Sequence, residues 1–349
     1  MSEMEKNTGE ESGQARMGMD AIGEALSRLY PGQEGTYYGA MIPASLGGKD
    51  PLDGVEVWES RSKMPHWHYV TYGFSELDGK ECGDPDNSGY GFELTFRLKK
   101  GEETEPPVWP MNLLENLARY VFSAGNGFAP GHYIDCNGPI ALEEETALTA
   151  LAFRKDPELG EMDTPNGHLV FLEAVAVTGD EMESLMCWDG VKFLEQMESF
   201  VPLGITDLGR TSLMDRSEFQ AAWEEGMARD GSSTRYLYTD ELDGGKQGGE
   251  SFLRLGASRA RLISLMLQAR VGKGRPLYVE SRDATVGFRP GDRAGAELRD
   301  GVFILILIEP ALQELCQVLE AQKRSCRLEQ LPLTVELTFS GQAEHPDEH

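Results

Sequence analysis

The stretch that decides the fold class runs from Gly91 to Lys99 and reads GFELTFRLK. Bulky apolar residues alternate with polar residues along it, which is the period-two pattern of a β-strand. One face is predicted to pack into a core and carries Phe92, Leu94, Phe96 and Leu98. The other face is predicted to contact water and carries Glu93, Thr95, Arg97 and Lys99. The sequence therefore predicts a half-buried strand within a folded domain.

Helical and strand patterns lie on both sides of this strand. The segment WPMNLLENLARYVF, residues 109–122, places apolar residues at helical spacing just after Pro106 and Pro107. Apolar runs at residues 67–74 and 167–177 predict further strands. Strict strand-helix-strand alternation is absent, which favours an α+β fold over a doubly wound one. We predict two mixed α/β-layer domains whose sheets are largely antiparallel or mixed.

Glycine-rich and polar stretches set the predicted domain boundaries. Residues 241–249, in the run ELDGGKQGGE, predict a flexible connection between domains. The amino-terminal domain is predicted to span residues 17–240 and the carboxy-terminal domain residues 250–340. Polar composition predicts a disordered leader over residues 1–16 and a frayed tail over residues 341–349.

The net charge restricts the classes of partner. The chain has 32 Lys and Arg residues against 59 Asp and Glu residues, a formal net charge of −27. Such a charge repels nucleic-acid phosphates and anionic lipid heads, so we expect no direct nucleic-acid binding and no membrane binding. A polypeptide partner with a basic surface would instead be attracted electrostatically. The amino terminus lacks the pattern of a secretory signal, so we expect a cytoplasmic location.

The five cysteines are scattered and form no C-x-x-C pair. This pattern argues against a disulfide framework and against a structural zinc site, and it predicts reduced, largely buried thiols. The nucleophile-elbow, phosphate-loop, dinucleotide and zinc-protease motifs are also absent from the sequence. The residues by themselves therefore provide no strong enzyme motif.

One pair of histidines is the best candidate for chemistry. His66 and His68 lie in PHWHYVTYGFSEL, residues 65–77, and would project from the same face of an extended segment. Together with a distant third ligand they could chelate a metal, so a metal-binding protein or hydrolase that uses His66 and His68 is one hypothesis. The alternative, in which both histidines hydrogen-bond within the fold, is favoured by the bulky neighbours Trp67 and Tyr69. On balance we predict no metal site.

Several blocks of the sequence resemble one known family. PHWHYVTYGFSEL, SGYGFELTFRLK and PPVWPMNLLENLARYVF match, in order and spacing, the amino-terminal domain of the Suppressor of fused family. The resemblance continues through DTPNGHLVFLEAVAVTGDEMESLMCWDG and covers about residues 35–230. It is weaker in RLISLMLQARVGKGRPLYVESRDATVGF and GVFILILIEPALQELCQVLEA, which resemble the carboxy-terminal domain. The chain is similar to a compact, bacterial type of member that lacks the long insertion of animal members.

The resemblance implies a protein that binds and sequesters other proteins, that is not an enzyme and that needs no cofactor. Animal members restrain Gli zinc-finger transcription factors in the cytoplasm and grip a short peptide between their two domains as an added β-strand. Main-chain pairing of that kind supplies affinity, and side-chain pockets supply specificity. In a bacterial setting the resemblance implies an immunity protein that inhibits a toxin. The alternative is a negative regulator of a transcription factor, as in animals.

The resemblance also implies which residues bind the partner. Tyr120 matches a tyrosine with which animal members contact Gli. The acidic residue that follows a glycine in animal members has no counterpart, since this chain has His132 after Gly131, and Asp135 lies nearby. The implied partner-binding residues are Tyr120, Phe128, His132, Tyr133 and Asp135. The implied structural motif of the family comprises His66, Trp67, His68, Phe92 and Phe96.

Overall fold

The computed structural model describes residues 16–40 and 50–339, which form two compact units. The first unit contains residues up to Met182 and the segment Leu194–Arg216. The second contains Glu183–Phe193 and the chain from Ser217 onward. Apart from Arg16, the predicted leader lies outside the described residues, as does the predicted tail at residues 341–349.

An eight-stranded mixed sheet organises the first unit. Its strands are β1 (Thr36–Gly39), β2 (Gly54–Ser60), β3 (His66–Tyr72), β4 (Asn87–Lys99), β5 (Tyr133–Asp135), β6 (Leu148–Lys155), β7 (Glu161–Thr164) and β8 (Gly167–Thr178). The order across the sheet is β1-β2-β3-β4-β8-β6-β5, and β7 pairs with β8. Only β4 and β8 run parallel, and the other pairs are antiparallel.

Two helices supply the apolar layers of this unit. Helix α1 (Met17–Leu29) buries Ile22 and Leu26 in a core that includes residues of β2, β3 and β8. Helix α2 (Trp109–Ala124) begins with a proline in its first turn and ends at Gly125, whose φ of 70° is favourable for glycine. Its buried face packs against the alternating Phe92, Leu94 and Phe96 of β4 in a second core.

The second face of β4 is buried, so the predicted contact with water is wrong for most of that face. Glu93, Thr95 and Arg97 are each 0% exposed. The cause lies in residues distant in sequence, because Arg97 and Thr95 bond to Asp156, which follows β6. Alternation in the sequence identifies the polar face of a strand, but it does not show whether water or another protein layer contacts that face.

The second unit contains two smaller mixed sheets. Its strands are β9 (Tyr236–Tyr238), β10 (Leu242–Gln247), β11 (Glu250–Gly256), β12 (Leu277–Glu280), β13 (Thr285–Pro290), β14 (Gly295–Arg299), β15 (Val302–Leu307), β16 (Ser325–Arg327) and β17 (Leu333–Thr338). The strand orders are β10-β11-β17-β16 and β14-β15-β13-β12-β9. In each sheet, parallel and antiparallel pairs occur together. The predicted α+β class with mixed sheets is therefore confirmed.

Besides three short 3-10 helices, the described residues contain five further α-helices. They are α3 (Gly179–Cys187), α4 (Gly190–Met197), α5 (Ser217–Asp230), α6 (Ala257–Arg270) and α7 (Glu309–Glu320). Within the second unit, α6 buries Ile263, Met266 and Leu267 and packs against α7. Within the described ranges, no helix is both long enough and apolar enough to cross a membrane.

The glycine-rich run predicted as a linker, residues 241–249, instead contains the first strand and the turn of a β-hairpin. β10 and β11 pair in antiparallel register, and Gly248 and Gly249 form the turn with φ values of 60° and 90°. Gly244 is required for packing, because a Cβ there would lie 2.9 Å from the side chains of Phe303 and Val286. Glycine therefore provides a tight turn and a close approach here, and the compact units divide at other positions.

Candidate partner-binding site

Tyr120 is an exposed aromatic residue that rests on a rigid support. Its side chain lies on α2 and is 49% exposed. The Tyr120 ring stacks on Phe128 with centroids 5.9 Å apart, and Phe128 stacks on the buried Phe153 of β6 at 4.0 Å. This stack fixes the orientation of the exposed ring, which lowers the entropy lost when a ligand packs against it.

A groove of about 630 Å³ runs beside this ring. One wall is the outer face of α2, including Trp109, Leu113 and Tyr120. The other wall is formed by β5 and the segment that follows it, residues 134–144. Leu142 in this segment is 90% exposed, so the groove presents apolar surface to solvent.

Strand β5 forms one edge of the eight-stranded sheet. Within the described residues it pairs only with β6, and it ends the strand order. The amide of Cys136 donates to the carbonyl of Thr149 on the β6 side, and antiparallel alternation then directs the backbone groups of Asp135 away from β6. An edge of this kind can pair with an extended peptide.

The structure brings only some of the predicted binding residues together. Tyr120 and Phe128 are in contact, and Tyr120 lines the groove. Tyr133 is half-buried in β5. The side chains of His132 and Asp135 are exposed, and neither residue lines the groove.

A second sheet edge, in the other unit, was missed by the sequence analysis. β9 ends the five-stranded sheet, and its Tyr236 and Tyr238 are 50% and 59% exposed. Tyr236 stacks on Tyr278 at 5.4 Å, and the Arg235 guanidinium lies over both rings. The alternating YLY of residues 236–238 was the available signal, but the polar and glycine-rich flanks made the segment resemble a connection.

The histidine pair is committed to internal hydrogen bonds. His68 is 0% exposed, and its Nδ1 lies 2.8 Å from the hydroxyl oxygen of Tyr30. Burial, assisted by Arg97, lowers the pKa of His68 to about 4, so the ring is neutral at neutral pH. The His66 Nδ1 lies 2.8 Å from the carbonyl oxygen of Met64. In the part of the chain that the structure describes, no group of three or more His, Cys, Asp or Glu residues could hold a metal ion.

A buried charge cluster accounts for the polar face of β4. Arg97 donates to Asp156 at 2.7 and 3.0 Å and to Glu173 at 2.8 Å. It also donates to Glu158 at 2.9 Å, and Arg154 donates to Glu173 at 2.6 Å. Although burial opposes ionisation, Arg97 holds the pKa of Asp156 well below its usual range. The cluster joins β4, β6 and β8 and is internal, so we assign it to stability.

Glu93 is another buried carboxylate, and it lies on the same face of β4 as Arg97. Its Oε1 accepts bonds from the amides of Gly73 and Ser75 and from the Ser75 hydroxyl, at 3.0, 2.9 and 2.6 Å. Its Oε2 lies 2.6 Å from the Thr71 hydroxyl oxygen. Burial raises the pKa of Glu93 to about 7 against the opposing effect of these hydrogen bonds. The side chain is therefore neutral in mildly acidic solution.

We expect Glu93 to make the protein less stable as pH rises from about 4.5 to 7. Over this window the unfolded chain loses the Glu93 proton and the folded chain keeps it, so ionisation favours unfolding. The loss is on the order of 3 kcal/mol, since each pKa unit corresponds to about 1.4 kcal/mol. Urea denaturation of wild type and Glu93→Gln at several pH values measures it.

The Glu93→Gln variant is a close steric match. Its amide oxygen can keep the three bonds at the Oε1 position, and its amide nitrogen can donate to Thr71. Other titrating groups are common to both proteins, so the difference in free energy of unfolding between them isolates Glu93. A difference that stays constant from pH 4.5 to 7 would contradict the assignment.

Comparisons with known proteins show which proteins this chain is similar to. The family model for Suppressor of fused protein (SUFU) matches residues 48–211. The human Suppressor of fused homolog is 35% identical over 235 residues, which cover 62% of this chain and 48% of the human protein, and the mouse homolog matches to the same extent. The chain thus spans about half the length of the curated relatives it matches.

Two solved structures are also similar. The crystal structure of Drosophila Suppressor of Fused matches with a TM-score of 0.78 over 93% of this chain and 97% of that chain. At 20% identity this match shows the shared fold. A chain in the crystal structure of the Sufu-Fu complex is 32% identical, with a TM-score of 0.56 over 59% of this chain and 97% of that one.

Proposed function

Because this chain belongs to the Suppressor of fused family, we propose that it binds and sequesters a polypeptide partner and does not catalyse a reaction. The observation that carries the proposal is the outer edge of β5 beside an exposed groove with a fixed aromatic ring. A related chain has been solved as a Sufu-Fu complex, which supports a polypeptide as the ligand.

The binding mode that fits this edge is the addition of a β-strand. Asp135 in β5 directs backbone groups outward, and these groups can pair with the main chain of an extended peptide. Side chains of that peptide can enter the groove and pack on Tyr120. Tyr236 and Tyr238 lie on another exposed edge, β9, so the proposal includes the hypothesis that both units hold the same partner.

The partner we propose carries a basic surface or a short β-pairing motif. The net charge of −27 supports this, as do Glu143 and Glu144, which line the groove. Two finer forms of the proposal are an immunity protein that inhibits a toxin in bacteria and a negative regulator of a transcription factor. The net charge suits a basic target of either kind and so does not distinguish the two forms, whereas identification of the captured protein does. We also propose a cytoplasmic location. All five cysteines are free thiols, which supports it, because disulfides are rare in the cytoplasm.

The Asp135→Pro substitution tests strand addition directly. Proline removes an amide N–H that points away from β6, so the β5–β6 pairing is retained while pairing with a partner is blocked. We expect binding to weaken at least about tenfold, since a main-chain hydrogen bond and the close approach of the partner are both lost. The partner is captured from the native host with wild-type protein, and its Kd for each variant is then measured by calorimetry.

Asp135→Asn is the matched control, because it removes the carboxylate and keeps the amide. We expect it to bind within about twofold of wild type. Tyr120→Ala should weaken binding as well if the groove is occupied, and Tyr238→Ala should do so if β9 also holds the partner. Binding by Asp135→Pro that equals wild type would rule out strand addition at β5.

A further inference from the structure

A second pocket of about 430 Å³ lies in the first unit, on surface that the proposed partner site does not use. Four segments line it, around Met64, around Lys99, from Phe200 to Ile205 and from Asp207 to Arg216. None of its lining residues lines the groove beside Tyr120. It is therefore a separate feature of the same unit.

The charge of this pocket is opposite to that of the whole protein. The chain has a net charge of −27, but five cationic residues and only one carboxylate line the pocket. The cations are Lys63, Lys99, Lys100, Arg210 and Arg216, and the carboxylate is Asp207. At physiological salt the Debye length is about 8 Å, so a ligand in the pocket responds mainly to these nearby charges.

Some cations of the pocket already pair with carboxylates of the protein, and others could pair with a ligand. Three cations have carboxylate partners, in the pairs Lys99–Asp207, Lys100–Glu59 and Arg210–Glu181. Lys63 and Arg216 are exposed, and neither has an ion-pair partner within residues 16–40 and 50–339. The Arg216 guanidinium lies 5.7 Å from the centroid of the Phe200 ring. Two cations thus remain available for a ligand at this pocket.

The pocket has an apolar lining held by main-chain bonds. Val201, Ile205 and Leu213 line it and are 8%, 9% and 2% exposed, so their side chains are packed in place. The amide of Thr206 donates to the Arg97 carbonyl, and the amide of Lys99 donates to the Thr206 carbonyl. These bonds fix the lining segment along the end of β4, so the cavity is preformed.

We propose that this pocket binds an acidic peptide segment that carries a bulky apolar side chain. The acidic groups pair with Lys63 and Arg216, and the apolar side chain fills the lining around Ile205 and Leu213. A small inorganic anion would leave the apolar lining unfilled, and a basic peptide would be repelled. The site extends the proposed function, because the same protein can then hold a basic partner and an acidic peptide on different surfaces.

A labelled peptide tests the proposal with the full chain. The probe is a fluorescent peptide of sequence Glu-Glu-Phe-Glu-Glu, and anisotropy reports its binding. We expect saturable binding that weakens as salt rises, and about tenfold weaker binding by Lys63→Glu/Arg216→Glu, since two exposed attractions become repulsions. A peptide with Ser in place of Phe should also bind at least about fivefold more weakly if the apolar lining is used.

A control variant carries the same change of charge elsewhere. Lys246→Glu/Arg293→Glu reverses two exposed cations of the second unit and should bind the peptide as wild type does. Circular dichroism checks that both variants are folded. Three results would each overturn the proposal: no saturable binding by wild type, equal binding by Lys63→Glu/Arg216→Glu, or equal binding of the Ser peptide, which would indicate a simple anion site.

Discussion

Replacing Arg97 by Met is expected to lower the free energy of unfolding by about 3–5 kcal/mol. Arg97 is 0% exposed and bonds to Asp156 and Glu173, which are 1% and 0% exposed. Methionine fills part of the volume but supplies no positive charge, so these carboxylates would face each other in the interior. Removing one partner of a buried ion pair costs far more than the pair contributes relative to an apolar core. Urea or thermal denaturation at pH 7 measures the loss.

Lys99→Met is the control for this substitution. Lys99 lies two residues along the same strand and pairs with Asp207, but its side chain is 60% exposed. Its loss should cost less than about 1 kcal/mol, because exposed ion pairs contribute little. Adding Asp156→Asn to Arg97→Met should recover part of the lost stability, because Asp156 loses its arginine in that variant whereas Glu173 keeps Arg154. Equal, small effects of Arg97→Met and Lys99→Met would contradict the charge cluster.

Replacing Glu181 by Ala is expected to cost about 3 kcal/mol or more. Glu181 is 0% exposed and accepts bonds from both terminal nitrogens of Arg210, at 2.6 and 2.7 Å. It also accepts bonds from the amides of Thr178 and Leu213. Without Glu181, the Arg210 guanidinium, which is 11% exposed, would lack its carboxylate partner. The segment around Leu213, which lines the 430 Å³ pocket, would lose its hydrogen bond to Glu181. Chemical denaturation measures the change in stability.

Glu183→Ala is a matched control in the same helix. Glu183 also pairs with an arginine, Arg259, at 3.0 Å, but the two side chains are 44% and 35% exposed. The expected cost is below about 1 kcal/mol. If Glu181→Ala proved as stable as Glu183→Ala, the result would contradict the assignment of the buried Glu181 carboxylate as a group that stabilises residues 205–216.

The sequence predicted those parts of the fold that depend on local pattern. The alternation in GFELTFRLK predicted the buried face of β4, and the helical spacing of apolar residues after Pro106 and Pro107 predicted α2. Local pattern is sufficient there because each apolar residue contacts the core through its own strand or helix. Local pattern did not single out Tyr120, which was predicted as a partner-binding residue through family resemblance, and its contact with Phe128 depends on the turn after α2.

Other features depend on residues far apart in the chain. Asp156 and Glu173 lie 59 and 76 residues from Arg97, so nothing near Arg97 in the sequence shows that it is buried. Glycine was misread at residues 241–249, because composition does not distinguish a flexible linker from a hairpin whose Gly244 packs against Phe303. The exposed edge at β9 was missed for a related reason, because the polar and glycine-rich flanks of the alternating YLY segment resemble a connection.

The interleaved course of the chain restricts how its two units can be separated. The main segment of the first unit ends at Met182. The next residues, Glu183–Phe193, belong to the second unit, and Leu194–Arg216 belong to the first unit again. A protease that cut once after residue 182 would leave Glu181 on one fragment and its partner Arg210 on the other. A single recombination event there could not transfer either unit whole to another gene. In natural gene rearrangements we therefore expect no breakpoint within residues 183–216, because a breakpoint there would divide both units.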